Sequence, residues 1–402
     1  MSERTSRDRI DTLLAHIGRD PKMQSGFVNP AIHRGSTVVF ETMAECIGAH
    51  DIDFKDGPYT YGLCGTPVER QLEEALAILD GGVGAVALGS GLAATTVSLM
   101  ANLSAGDHLL MVDTCYWPTR KYCDDFLGRM GIETTYYDPM VGTDVEALFR
   151  PNTRVLFMES PGSRTFEVQD VPGMTKVAAR HGVNTVIDNT WATPINFRPI
   201  EHGVDLVIHA LTKYVAGHSD VMLGAIVARD REHWDRIKAT AMDLGHGCSP
   251  DDAWLGLRGL RSLGTRLRKQ GESSLEIARW LENRPEVECV LHPGISGCPG
   301  HDVFLRDFDG PSGLFSVVLK PVGEDALADM LEGFRFFSMG YSWGGYESLI
   351  LPFDPEENRT VAPWNRKGRC LRISIGLEDS RDLIRDLDNG FKRLINRTTG
   401  CR

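Results

Sequence analysis

Lys213 stands a few residues past the apolar run Leu206-Val207-Ile208, and three other residue types precede it in an order that chemistry can use. A lysine drawn into a site near a phosphate and a flat aromatic group can form a Schiff base and later move protons. Asp188 directly follows Thr185-Val186-Ile187, 25 residues before Lys213. A carboxylate that ends a buried strand is costly unless a cation pairs with it, so Asp188 is a candidate to hold a protonated ring nitrogen. Tyr116, past the apolar run ending at Val112 and just before Trp117-Pro118, can stack on a flat ring. In Leu88-Gly89-Ser90-Gly91-Leu92 the glycines let backbone amides approach an anion at a helix N-terminus, which makes a phosphate cup. Each residue has a plain alternative: a surface lysine, a helix cap, a packed aromatic, an ordinary strand-to-helix turn. Their order along the chain joins them into one candidate site.

The elements that must position these residues follow from the pattern of apolar residues. Thr66-Pro67-Val68-Glu69 reads as a capping box with proline at the first helical position, and Val68, Leu72, Leu76 and Leu79 recur at helical spacing up to Gly81-Gly82. Short apolar runs at 85–88, 108–112, 155–158, 185–187 and 206–208 alternate with helical stretches such as 92–100 and 174–181. Such alternation predicts an α/β fold with a mostly parallel sheet covered on both faces, whose ligands sit beyond the carboxyl ends of the strands. After about residue 250 the texture changes to a long helix over 251–280, rich in arginine, and a strand over 313–319, which predicts a smaller α+β unit. The arginines of that helix (Arg258, Arg261, Arg266, Arg268) read as a solvated or intersubunit face. Residues 1–58 read as an N-terminal arm, 59–250 as the main domain and 251–402 as the C-terminal domain.

The chain has 402 residues with 43 Lys+Arg against 55 Asp+Glu, a formal net charge of −12. An acidic balance argues against nucleic acid or an anionic membrane as main partner, because those surfaces require an excess of cations. The nine cysteines are scattered without a C-x-x-C pair, which predicts free thiols in a reducing compartment. With no signal-like N-terminus and no long apolar run, a cytoplasmic protein is expected. The histidines lack paired ligand spacing, so no metal site is expected, and His218 reads as part of a structural turn. Gly82-Val83-Gly84-Ala85-Val86-Ala87 matches G-x-G-x-x-A but follows a helix and leads into a strand, the reverse of a dinucleotide fingerprint.

Seven stretches in chain order carry a further signal: YTYGLCGT at 59–66, GSGLA at 89–93, ESPGSR at 159–164, VIDNTWATP at 186–194, ALTKYVAGHSDVMLG at 210–224, FSMGYSWGGYESL at 337–349 and LRISIGLED at 371–379. With them the chain resembles the cystathionine β-lyase branch of the Cys/Met-metabolism family of pyridoxal-phosphate enzymes, from about Phe27 to Phe391. The resemblance implies a fold type I, PLP-dependent transferase-like architecture with pyridoxal 5'-phosphate as cofactor. It implies that Lys213 holds the cofactor covalently, Asp188 pairs with its ring nitrogen and Tyr116 stacks on its ring. Ser90, the amides of Gly91 and Leu92, and Thr212 would cradle the phosphate. Arg372 would clamp the substrate α-carboxylate, with Tyr341, Ser342 and Trp343 nearby. Tyr61, grouped with Lys213 and Tyr116 as catalytic, would reach the phosphate of a neighbouring subunit, as expected of a homotetramer built from two dimers with shared sites.

The reaction implied is α,β-elimination of L-cystathionine, or a related cysteine S-conjugate, to a thiol, pyruvate and ammonia. The alternative is a γ-lyase or γ-synthase acting on another γ-substituted amino acid, such as methionine or canavanine. Ser163 and the run Ser342-Trp343-Gly344-Gly345-Tyr346 favour the β branch. One departure stands out: the family carries arginine at the second position after the tyrosine, where this chain has Leu63. That loss is either compensated by another residue or changes the substrate.

Overall fold

The computed structural model of the protein describes residues 8–49 and 57–399, so positions 1–7 and 50–56 of the expected arm lie outside the described residues. The helix Pro67–Asp80 begins as its sequence predicts: Glu69 accepts the backbone N–H of Thr66, and Gly81 ends the helix at φ +77°. Leu72, Leu76 and Leu79 face inward and are fully buried. The first sheet contains β1 (Gly84–Leu88), β2 (His108–Val112), β3 (Glu133–Tyr137), β4 (Thr153–Glu159), β5 (Asn184–Asp188), β6 (Leu206–His209) and β7 (Gly224–Ala228), in the order β1-β7-β6-β5-β4-β2-β3. All pairings from β6 to β3 are parallel, and β7 runs antiparallel to both its neighbours. β1 therefore points the same way as β6, and the residues after β1, β2, β4, β5 and β6 all emerge at one edge. That edge gathers Ser90, Tyr116, Ser163, Asp188 and Lys213.

The five apolar runs of the sequence are β1, β2, β4, β5 and β6. β3 and β7 escape that reading for opposite reasons. β3 is an edge strand, Glu-Thr-Thr-Tyr-Tyr, polar and at least partly exposed up to the buried Tyr137. β7 is buried throughout but is built from glycine and alanine around two branched residues, so its apolar signal is weak. Gly224 at its start is obligatory, since a Cβ there would lie 2.1 Å from the Ser90 carbonyl oxygen.

A second sheet, β8 (Val287–Leu291), β9 (Leu314–Leu319), β10 (Leu349–Phe353) and β11 (Cys370–Ser374), is antiparallel throughout in the order β10-β11-β9-β8. The helix Pro250–Glu282 serves both sheets. Its Leu257, Leu260, Leu263 and Leu267 belong to the larger core, and its Ile277, Ala278 and Leu281 to the smaller one. One helix common to two cores fixes the second sheet against the first.

The arginines of this helix do not form one solvated face. Arg258 and Arg268 are exposed, but Arg266 is buried and Arg261 donates to the carbonyl of Leu14 at 2.7 Å. Nor is the N-terminal stretch simply extended. The helix Ile10–His16 buries Leu13 and Leu14 in the larger core of its own chain, and a short helix Met43–Gly48 follows, capped by a Thr42–Glu45 box.

Candidate active site

Lys213 lies in the turn after β6, and Ser342, from the loop before β10, meets it. The Lys213 ammonium donates to Ser342 Oγ at 2.9 Å and lies 5.5 Å from the centre of the Trp343 ring. Trp343 also meets Tyr214 edge-on at 5.3 Å, so its ring backs the lysine turn. Gly344 completes this closure: it has φ +83°, and a Cβ there would come within 3.0 Å of the Tyr214 nitrogen and 3.1 Å of the Lys213 carbonyl carbon. Burial pushes the Lys213 amine down to about 8, with Arg372 acting in the same direction and Asp188 opposing.

Arg372 on β11 is buried, and one of its terminal nitrogens donates to three carbonyls in a row, Gly340 at 3.0 Å, Tyr341 at 3.0 Å and Ser342 at 2.9 Å. The guanidinium is therefore oriented through a single nitrogen, and its other donors are available to a carboxylate, which matches a planar fork in pairs. The same loop thus sets both the cation and the partner of Lys213. The Tyr341 side chain is 85% exposed, so its carbonyl, not its ring, belongs to this arrangement.

Asp188 ends β5, where its Oδ1 accepts the Thr190 backbone N–H at 2.9 Å. Burial raises its carboxyl above the usual range, against the pull of Thr190, His209 and Lys213. Its register neighbour on β4 is Glu159. Glu159 is a residue that reading for chemistry overlooked, although ESPGSR contains it. Its carboxyl accepts the backbone N–H of Tyr116 at 2.7 Å, and burial followed by the Asp188 charge pushes it well above the carboxylate range. Two carboxyls side by side cannot both ionise cheaply, and Glu159 anchors the tyrosine segment through the Tyr116 amide. Tyr116 is 49% exposed and feels Glu159, Asp188 and Arg372, which brings it to the same place as the lysine and the arginine.

At the end of β1, Ser90 caps the helix Gly91–Met100 by accepting the Ala93 N–H at 3.1 Å, leaving its own proton to donate. The amides of Gly91 and Leu92 open the first turn, where helical N–H groups have no intrahelical acceptor and the helix dipole favours an anion. Thr212 is more committed: its hydroxyl donates to the Leu223 carbonyl at 3.1 Å and accepts the Leu223 N–H at 2.9 Å. Tyr61 lies apart, 53% exposed, with its backbone in a bridge to Thr37, and among the described residues its side chain makes no hydrogen bond to the converging residues. Leu63 is also exposed, beside Gly247.

Arg266 is the second residue that pattern reading assigned elsewhere. It donates to the carbonyls of Tyr214 at 2.7 Å, Val215 at 3.1 Å and Gly259 at 2.8 Å, and so fastens the turn that follows Lys213. His218 bonds the Ala216 carbonyl at 2.6 Å within the same turn, a structural contact as its sequence suggests.

A lysine with a depressed pKa, a strand-end carboxylate, a half-exposed tyrosine and an anion cup on a helix N-terminus fit a phosphorylated pyridine aldehyde at every point of attachment. The comparisons agree. The family model described as "Cys/Met metabolism PLP-dependent enzyme" matches residues 11–392. The chain is 42% identical to the cystathionine beta-lyase MetC of Escherichia coli over 96% of this chain and 99% of that one. It is likewise 42% identical to the cystathionine beta-lyase of Salmonella typhimurium, over 96% and 99% of the two chains. Among solved structures, cystathionine gamma synthase from Xanthomonas oryzae pv. oryzae superposes with a TM-score of 0.88 at 32% identity, covering 97% of this chain and 99% of that one. The chain belongs to the Cys/Met-metabolism family of PLP-dependent enzymes.

Proposed function

We propose that this chain is a carbon–sulfur lyase that breaks L-cystathionine by α,β-elimination to homocysteine, pyruvate and ammonia. The observation that carries the reading is the single loop at 340–342 that holds both Lys213 and Arg372: it orients the base and the α-carboxylate clamp relative to one another. The higher identity to the β-lyases than to the γ-synthase structure supports the β branch.

Bound pyridoxal 5'-phosphate supplies an electron sink for the negative charge that develops at the substrate Cα. The protein does the rest. Arg372 fixes the α-carboxylate so that the Cα–H bond faces Lys213, while Asp188 keeps its negative charge against the cofactor's ring nitrogen. Lys213, as the neutral amine, removes the Cα proton, and Ser342 Oγ holds its nitrogen in place. The Cβ–S bond breaks, the electron pair leaves with sulfur, and the proton taken by Lys213 passes to the thiolate. Water then hydrolyses the released unsaturated amino acid to pyruvate and ammonia.

Product identification tests the reading. With cystathionine, cystine, methionine and canavanine as substrates, mass spectrometry is expected to find pyruvate from the first two, with homocysteine as the sulfur product of cystathionine and cysteine persulfide as that of cystine. Formation of 2-oxobutyrate or homoserine in their place would overturn it in favour of γ-chemistry.

The protonation of Lys213 gives a second expectation. Only the neutral amine attacks an aldehyde, so capture of pyridoxal 5'-phosphate by the apoprotein should accelerate as pH rises through about 8 and level off above it. An unperturbed lysine titrates near 10.4 and would show its rise there. Stopped-flow absorbance across pH 6.5 to about 10.5 reads the midpoint directly.

The same reading includes a homotetramer of two dimers, supported by the exposed apolar side chains Met23, Phe27, Val39 and Met43 near the N-terminus, which a second copy of the chain would cover. A reducing, cytoplasmic setting suits the free cysteines among the described residues.

A further inference from the structure

Arg164 occupies a backbone conformation that arginine adopts only under constraint, with φ at +66° in the left-handed region. Its turn is fastened on both sides: the Ser163 N–H donates to the Thr114 carbonyl at 2.8 Å, and the Phe166 N–H donates to the Gly162 carbonyl at 3.0 Å. The first of these bonds ties the turn to the segment that carries Tyr116. The guanidinium carbon lies 5.6 Å from the centre of the Phe353 ring on β10. In the β10–β11 pairing, Leu351 stands opposite Arg372 and Phe353 opposite Cys370. Opposed residues share a sheet face, and two residues along a strand span about 7 Å. Arg164 therefore sits over the face from which Arg372 projects, one pair of residues further along.

Neither guanidinium forms an ion pair with a carboxylate among the described residues. The acids around Arg164 are taken: Glu167 by Arg359, Asp113 by Arg120 and the amides of residues 360–362, and Glu159 by the Tyr116 amide. In a chain of net charge −12, two such cations side by side stand out against an excess of acids. Burial, with Arg164 next in weight, pushes Arg372 down to about 10, as expected of like charges held together. The loop after Tyr61 carries Leu63 and Cys64 and brings no cation of its own.

We propose that Arg164 is a specificity-determining residue that receives a second anionic group of the substrate, the carboxylate on the departing-thiol half of a dicarboxylic thioether amino acid, while Arg372 takes the α-carboxylate. The assignment rests on the lyase reading above, and it selects substrates with a charged leaving group over simple S-alkyl cysteines.

The test uses the holoenzyme and Arg164→Gln, a substitution that removes the charge and keeps a polar side chain in the same turn. The KM for L-cystathionine is expected to rise on the order of 10- to 100-fold more than the KM for S-ethyl-L-cysteine, equivalent to about 1.4 to 2.8 kcal/mol. Arg164→Lys should recover part of the difference. Equal changes for the two substrates would overturn the assignment. Should the wild type fail to cleave cystathionine, the lyase reading falls, and binding still decides the role of Arg164. Dissociation constants for L-2-aminoadipate and L-norleucine, read from the cofactor's absorption, differ only by the second carboxylate. A loss confined to aminoadipate in Arg164→Gln supports the assignment, and equal binding by the two proteins refutes it.

Discussion

Lys213→Ala is expected to reduce turnover on the order of 10⁴-fold or more, because proton transfer by a placed side chain alone is worth about 10² to 10⁴ and the covalent hold on the cofactor goes with it. The amine contributes little to folding: it makes one hydrogen bond to Ser342 and faces the Trp343 ring. The turn itself is held by Arg266 through the carbonyls of Tyr214 and Val215, and those bonds survive truncation of the lysine. The variant should therefore remain folded by far-UV circular dichroism, lose the long-wavelength absorption of covalently held cofactor, and release pyridoxal phosphate on dialysis. Retention of turnover with those spectral changes would remove Lys213 from the centre of the mechanism.

Asp188→Asn should have the next largest effect. The carboxylate ends β5 in a buried place whose cost is recovered when a cation faces it, and it accepts the Thr190 backbone amide. Removing one member of a buried ion pair costs about 3 to 5 kcal/mol. If that loss falls on the transition state, kcat/KM drops on the order of 10² to 10⁴-fold. The substitution has a second consequence that a merely structural role would not produce. Asp188 raises the pKa of Lys213 against the effects of burial and Arg372. Neutralising it should shift the pH midpoint of cofactor capture downward from about 8. An unchanged midpoint would mean that the two groups do not interact.

The strands that read as unbroken apolar runs were legible because a strand buried on both faces allows little else. β3 was not legible, since an edge strand can be polar, and β7 was hidden in glycine and alanine. The long helix after Ser249 was legible in extent, but not in the direction of its arginines. Arg258 and Arg266 are both arginines on one helix, and only the packing of distant segments of the same chain decides which faces water and which bonds three carbonyls. The chemistry-bearing types Lys213, Asp188, Tyr116 and the Ser90 turn could be picked out because each follows a strand. Glu159 follows a strand too, but its meaning depends on lying in register with Asp188, which no local spacing reveals.

By itself the sequence determined the alternation of strands and helices, the glycine turn before the Gly91–Met100 helix, and the residue types at the strand ends. These are properties of short stretches, governed by burial periodicity and turn geometry, while the family and its cofactor were implied by the resemblance of seven such stretches to known members. Only the tertiary structure decided which distant groups meet. It bonded Arg372 and Lys213 to one loop at 340–342, set Glu159 in register beside Asp188, and brought Arg164 over Phe353 beside Arg372. Those meetings depend on strand order, register and the packing of one sheet against another through a common helix, and they join residues that local sequence cannot relate.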